Sequence, residues 1–220
     1  MPGQQDMVLH VDDQILVVDK PAGISVLPDG WEPDTPYLVQ QLEAEFSKLW
    51  VVHRLDKVTS GVMVFARSAE SHRALNTQFE QHTAAKIYHA ICNGNPKWEG
   101  HTARHPLRIN VGHSHRTVVD HSHGKPSETH FKVLQRYQDC ALLEAVPATG
   151  RTHQVRVHAY ALGHPLVGDI LYSAPLTELI DRPALHALSL TFAHPTFGQI
   201  MTFEASYPDD FAVALVKLQK

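Results

Sequence analysis

The stretch 51–66, VVHRLDKVTSGVMVFA, constrains this chain more than any other part of its sequence. Two runs rich in β-branched and apolar residues flank a polar segment, the pattern of strand, loop and strand. The loop carries His53, Arg54, Asp56, Lys57, Thr59 and Ser60 and closes on Gly61. A carboxylate between two cationic side chains, on a loop braced by buried strands, is a common place for functional groups. The same residues also suit a plain hairpin tip in which Asp56 caps or turns the backbone. A cap alone does not account for Arg54, Asp56 and Lys57 crowding together, and chemistry stays open.

With 220 residues, 43% of them hydrophobic, the chain is long and apolar enough for one large domain or two small lobes sharing a core. No apolar run approaches the roughly 20 residues of a membrane span. The N-terminus, MPGQQDMVLHVDD, has neither a basic region nor a hydrophobic core, so a cytoplasmic protein without a signal peptide is expected. Cys92 and Cys140 fall in apolar, strand-like runs and read as buried free thiols in a reducing compartment. The formal net charge of −4 is poor footing for nucleic-acid binding over the whole chain. Residues 101–132 differ. Five Lys and Arg stand there against two acidic residues, a local balance of +3, with seven histidines interspersed.

In chain order, an apolar strand-like run at 14–19 ends in Lys20-Pro21-Ala22-Gly23, a turn with Lys20 at its mouth. A second apolar run, 24–27, precedes a Pro- and Gly-containing loop at 28–34. Thr35-Pro36 read as a helix cap and first helical residue, with Leu38, Leu42, Phe46 and Leu49 on one face. Ser68 is placed to cap a second helix reaching about residue 83. Strand patterns follow at 86–92, 131–137 and 140–146, with hairpins and loops over 101–126. Residues 151–162 read as a helix burying Val155, Ala159 and Leu162 and stopped by Gly163. Leu188, Leu190 and Phe192 face a partner strand at 200–203, and 209–218 is a final amphipathic helix. No repeat, low-complexity tract or linker interrupts this order, so a single α+β domain on a mixed sheet is expected.

A second candidate cluster is TGRTHQVRVH at 149–158. On a helix Thr152, Arg156 and Tyr160 project together, away from the apolar face. Position alone favours a surface arginine packing its stem along the helix.

Six segments together resemble one family, the RluA-type RNA pseudouridine synthases. They are DKPAGISV at 19–26, HRLDKVTSG at 53–61, KIYHA at 86–90, GKPSET at 124–129, TGRTHQVRVHAYALGHPLVGD at 149–169 and LHALSLTFAHP at 185–195. They stand in the family's order and spacing and cover nearly the whole chain. The resemblance implies an α+β pseudouridine synthase fold: a mixed, mostly antiparallel sheet with flanking helices and loops around a central cleft. It implies one catalytic domain over 1–220, of the compact form without an accessory RNA-binding module. The implied activity is isomerisation of uridine to pseudouridine in ribosomal RNA, transfer RNA or both, with no cofactor and no metal. By similarity Asp56 is the catalytic carboxylate, Tyr88 stacks on the target base, and Arg156 pairs with the carboxylate. Arg54 matches the residue that fills the gap left by the extruded uridine. His53, Lys86, Arg151 and His153 complete the RNA-binding set. The expected partner is RNA, with no membrane, and a monomer is the expected state.

Two other classes remain beside this one. A non-catalytic RNA-binding relative would not require Asp56, Tyr88 and Arg156 all to be present. A metal-dependent hydrolase could be built on the H-x-H pairs His113/His115 and His121/His123, but no Cys or carboxylate dyad adjoins them in sequence. Solvated loop histidines are the simpler expectation. If they face RNA, affinity rises as the imidazoles gain charge below neutral pH. RNA binding followed from about pH 8 down to about pH 6 should then tighten, and a flat profile eliminates the idea.

Overall fold

The structure, a computed structural model, describes residues 7–28, 34–112 and 116–219. Strands β1 (Val8–Val11) and β2 (Ile15–Lys20) precede helix α1 (Leu38–Phe46). Strands β3 (Trp50–Val51) and β4 (Ser60–Ala66) flank the polar loop, and helix α2 (Ala69–Glu80) leads to β5 (Ala85–Asn93). Then come β6 (Gly100–Ala103), β7 (Leu107–Val111), β8 (Arg116–Val119), β9 (Thr129–Arg136) and β10 (Cys140–Pro147). Helix α3 (Gln154–Ala161), a 3-10 turn (Ile170–Tyr172), β11 (Leu185–Ala193), β12 (Ile200–Glu204) and helix α4 (Asp209–Leu218) complete the order. These elements form an α+β fold on a mostly antiparallel sheet, the class expected. Among the described residues no helix is long and apolar enough to cross a membrane. The chain gathers into two compact units, Met1–Lys86 with Ala187–Ser206, and Ile87–His186 with Tyr207–Lys220.

The first unit is built on β4. Its seven residues, SGVMVFA, are all buried, as a continuous apolar run in a central strand should be. Strand β2 pairs with it antiparallel from Ile15↔Ala66 to Lys20↔Gly61, and the short β3 pairs with its far end at Phe65 and Ala66. Strand β11 lies beside β4 as well, and β12 pairs with β11 from Ser189↔Glu204 to Ala193↔Ile200. Ile15, Val17, Val62, Val64, Leu190 and Phe192 form the core under Leu75 of α2. Helix α2 starts as expected, with Ser68 Oγ accepting the Ser71 N–H at 3.1 Å. The end of β11 is closed by Gln78 of α2. Its side-chain amide donates to Ala193 O and accepts the Ala193 N–H, both at 2.8 Å.

Two expectations change here. The run 24–27 is not a strand, because its backbone has another task. The carbonyls of Ser25 and Val26 accept the N–H groups of Leu38 (2.8 Å) and Val39 (3.2 Å), which open α1. With those donors satisfied by the chain itself, α1 begins at Leu38 behind Tyr37 and makes no use of Thr35-Pro36 as a cap. It ends at Phe46, before Leu49. Most of the loop 28–34 lies outside the described residues.

In the second unit the order is β5-β10-β9-β6, every ladder antiparallel. Strands β5 and β10 bury both faces. Ala90, Cys92, Ala141 and Leu143 pack toward Val155 and Ala159 of α3. Ile91, Cys140 and Leu142 pack with Phe211 and Ala214 of α4. Both cysteines are free and buried. Strand β9 buries Phe131 and Val133 and exposes His130, Lys132 and Leu134, the period-2 pattern of a half-covered strand. Strands β7 and β8 form a separate hairpin.

One glycine carries a strict requirement. Gly61 has φ +116°, and a Cβ there would sit 2.1 Å from the Ala187 carbonyl oxygen. Gly61→Ala should therefore cost about 3 kcal/mol or more. Gly100→Ala, where the nearest atom is 3.5 Å from the new Cβ, should stay within about 1 kcal/mol. Urea unfolding of both variants checks the contrast.

Candidate active site

The loop that carries Asp56 is fixed from both ends. After β3 stops at Val51, the outward N–H of Val64 on β4 has no strand partner on that side. His53 supplies one, with Nε2 accepting the Val64 N–H at 3.1 Å. Its ring stacks on Phe79 of α2, centroids 4.6 Å apart and planes 17° apart. The accepting lone pair requires a neutral imidazole with its proton on Nδ1. Burial, aided by the positive charge of Lys86, depresses the His53 pKa to about 3. Burial also lowers the pKa of the half-buried Lys86.

At the other end the Asp56 carbonyl accepts the Thr59 N–H at 3.0 Å, closing a turn. The Lys57 carbonyl accepts the Gly23 N–H at 2.7 Å and Lys20 Nζ at 3.3 Å. Lys20 is fully buried, and its ammonium also donates to Pro21 O and Ile24 O, each at 2.9 Å. The sequence places Lys20 at the mouth of a turn, but the structure folds it inward. An ammonium has three N–H donors, and each of these carbonyls can accept one. Between the anchors Leu55 is buried, Asp56 half-buried and Arg54 exposed. His53, Arg54, Asp56 and Lys86 belong to the first unit, and Tyr88, Arg151, His153 and Arg156 to the second.

In the second unit Tyr88 sits on β5 opposite Ala145, half-buried against the core beneath α3. Arg156 is only 4% exposed, so the surface reading of this side chain fails. Its Nε and Nη2 donate to the two carboxylate oxygens of Asp169 at 2.7 and 2.8 Å. The Tyr172 ring lies 5.1 Å from the guanidinium carbon. Thr152 precedes the helix, whereas Tyr160, one turn after Arg156, is 45% exposed and packs against the same Tyr172 ring, centroids 6.0 Å apart.

Helix α3 starts at Gln154, three residues later than the pattern suggests, because the preceding segment is bound by side chains. His153 takes the left-handed conformation at φ 56°. Gln154 Oε1 accepts from Thr149 Oγ1 (2.6 Å) and from the Arg151 N–H (3.1 Å). Its Nε2 donates to Glu128 O (2.8 Å) and Thr129 Oγ1 (3.0 Å). His158, fully buried, bridges Thr129 Oγ1 and the His105 carbonyl, and burial lowers its pKa. In the sequence Lys20 stands out only as the mouth of a turn, and Gln154, Asp169 and Tyr172 carry no assigned role. The signal for Asp169 is its place at the end of the segment 149–169 that carries the resemblance, a carboxylate directly after the apolar run ending in Gly168. That glycine, at φ +76°, packs where a Cβ would meet Arg182 O at 2.3 Å.

The histidine-rich segment is partly seen. His121 and His123 are exposed, and His123 Nδ1 stands 3.7 Å from Asp120 Oδ1. The pair His113/His115 lies outside the described residues. Among the described residues no three His, Cys, Asp or Glu side chains gather in a way that could hold a metal ion.

A comparison with protein families matches residues 14–161 to the one described as RNA pseudouridylate synthase. The chain is 38% identical to ribosomal large subunit pseudouridine synthase D of Neisseria meningitidis, over 92% of this chain and 58% of that one. It is 37% identical to the dual-specificity RNA pseudouridine synthase RluA of Escherichia coli, over 93% of this chain and 94% of that one. Against three synthase D relatives it spans 58%, 64% and 71% of their length. Among solved structures, human RNA pseudouridylate synthase domain containing 1 superposes with a TM-score of 0.76 at 28% identity, covering 94% of this chain and 86% of that one.

The neutral state of His53 carries a pH consequence. Its folded pKa of about 3 lies below the ordinary 6.5, so the unfolded chain takes up a proton first as pH falls. Stability is therefore lost progressively below about pH 6.5. His53→Gln, whose amide oxygen can still accept the Val64 N–H, should flatten that decline. Urea midpoints measured across this range should fall more steeply in the wild type than in the variant.

Proposed function

Because the chain belongs to the RNA pseudouridine synthase family, we propose that it isomerises specific uridines of ribosomal RNA, transfer RNA or both to pseudouridine. The N1–C1′ bond of the target breaks, a C5–C1′ bond forms, and the proton lost from C5 is balanced by one gained at N1. Nothing is oxidised and no group is consumed, so the reaction calls on no cofactor.

The observation that carries this reading is the loop 52–59, in which a half-buried carboxylate is held on a backbone anchored at both ends. A base inside folded RNA hides its glycosidic bond, and flipping it out costs a few kcal/mol. Exposed Arg54, beside Asp56, is suited to stack and hydrogen bond in the vacated space. Asp56 serves as the catalytic carboxylate, and an anchored backbone keeps its approach to the sugar from varying. Tyr88 offers the flat face a flipped uracil stacks on. Arg156 acts as a fixed cation, since its guanidinium is held rigidly within its own unit. Lys86, Arg151, His53 and His153 complete the assigned set. His53 and His153 contribute by shaping the backbone, because His53 already accepts from Val64 and His153 stands beside the Tyr172 hydroxyl. The two units work as a single catalytic domain, monomeric and cytoplasmic.

Asp56→Asn is nearly isosteric and leaves every anchor of the loop in place. It should keep the wild-type unfolding midpoint within about 1 kcal/mol and lose pseudouridine formation entirely. Carbodiimide mapping of RNA from a deletion strain, treated with each protein, identifies the modified uridines. Measurable activity of the variant on any wild-type site rejects the role of Asp56.

A further inference from the structure

We propose that Asp169 is a positioning residue for the isomerisation, holding the Arg156 guanidinium in the one orientation the reaction uses. The proposal rests on the assignment of Arg156 to catalysis.

Asp169 takes the Nε–Nη2 edge of Arg156 with both carboxylate oxygens, at 2.7 and 2.8 Å. The two side chains are 1% and 5% exposed. A fork-to-fork pair of this kind fixes the plane of the guanidinium and, with it, the direction of the Nη1 edge. Tyr172 adds a second restraint from the same short 3-10 turn, its ring 5.1 Å from the guanidinium carbon. The turn itself is tied down. The Tyr172 hydroxyl accepts the Thr117 N–H and lies by the Thr117 carbonyl, both at 3.1 Å, with His153 Nδ1 at 2.9 Å. Gly168 lets the chain pass against Arg182 O just before the carboxylate. One turn therefore delivers a carboxylate and a ring to the same guanidinium.

Stability does not explain this arrangement. Replacing a buried ion pair by apolar side chains of similar volume is often neutral or stabilising. What apolar side chains cannot supply is a charge with a set direction. Arg156 has a long, flexible stem, and loss of the paired edge would leave the plane of its head group less tightly set. A misplacement of about 1 Å at a catalytic group can cost about a hundredfold in rate.

The test uses the full chain and a ribosomal or transfer RNA transcript that the wild type modifies. Asp169→Asn, Asp169→Glu and Arg156→Gln are compared below the unfolding temperature of each, with rates corrected for folded fraction. Asp169→Asn should lower kcat about a hundredfold while KM changes less than about threefold. Asp169→Glu, which restores the charge, should recover part of the loss. Wild-type kcat in Asp169→Asn, or no recovery by Glu, overturns the proposal. If Asp169→Asn does not fold, Asp169→Glu decides alone: lowered kcat at unchanged KM supports the role, and wild-type kcat overturns it. Arg156→Gln separates the two levels. Wild-type kcat in that variant removes Arg156 from catalysis and the proposal with it. An inactive Arg156→Gln beside a fully active Asp169→Asn overturns only the positioning role.

Discussion

The first unit hangs on one buried ammonium. Taking a lysine head group fully out of water is among the costlier steps in folding, and it is tolerated only when the charge is hydrogen-bonded. Lys20 meets that condition with the carbonyls of Pro21, Ile24 and Lys57. Two of these belong to its own turn and the third to the loop of Asp56, so turn and loop are held as one piece. Ser25 and Val26, next along the chain, satisfy the opening donors of α1. One side chain thus sets the position of a turn, a helix start and the loop that leads into the central strand.

A second pattern recurs in both units: side chains completing hydrogen bonds that a strand or helix would otherwise supply. His53 does so for Val64, Gln78 for Ala193, Tyr172 for Thr117, and Gln154 for the chain entering α3. Buried backbone polar groups need partners, and where a ladder stops, an amide, imidazole or phenol can serve. Such partners bind at a point and leave neighbouring residues free of strand geometry. That is the requirement for a loop that must hold functional groups outside a sheet.

The burial pattern of the sequence made most of the architecture legible. Strand β4 announces itself as a continuous apolar run, β9 as an alternating one, and α4 falls on the range its periodicity indicates. Ser68 caps α2 because cap chemistry is local. What escaped notice was non-local. The start of α1 depends on carbonyls thirteen residues away, and the inward fold of Lys20 depends on Lys57. For the site, the motifs marked Asp56, Tyr88 and Arg156, but a single arginine says nothing about its acid. Asp169 lies thirteen residues from Arg156, across a helix end and two turns, and no local periodicity links them.

Neither unit is a continuous piece of sequence. The chain leaves the first unit after Lys86 and returns to it only at Ala187. Its core needs Leu190 and Phe192, and Gly61 needs the backbone of Ala187 beside it. A ribosome therefore delivers a hundred residues of the other unit before this one can close. During that interval β4, buried at every position in the finished unit, lacks β11 beside it, a state prone to wrong partners. Synthesis order thus lets Lys20, Gly23 and His53 secure the loop of Asp56 first and leaves the open flank of β4 for β11 to close last, so the demand for chaperone protection falls on the nascent chain rather than on the finished protein.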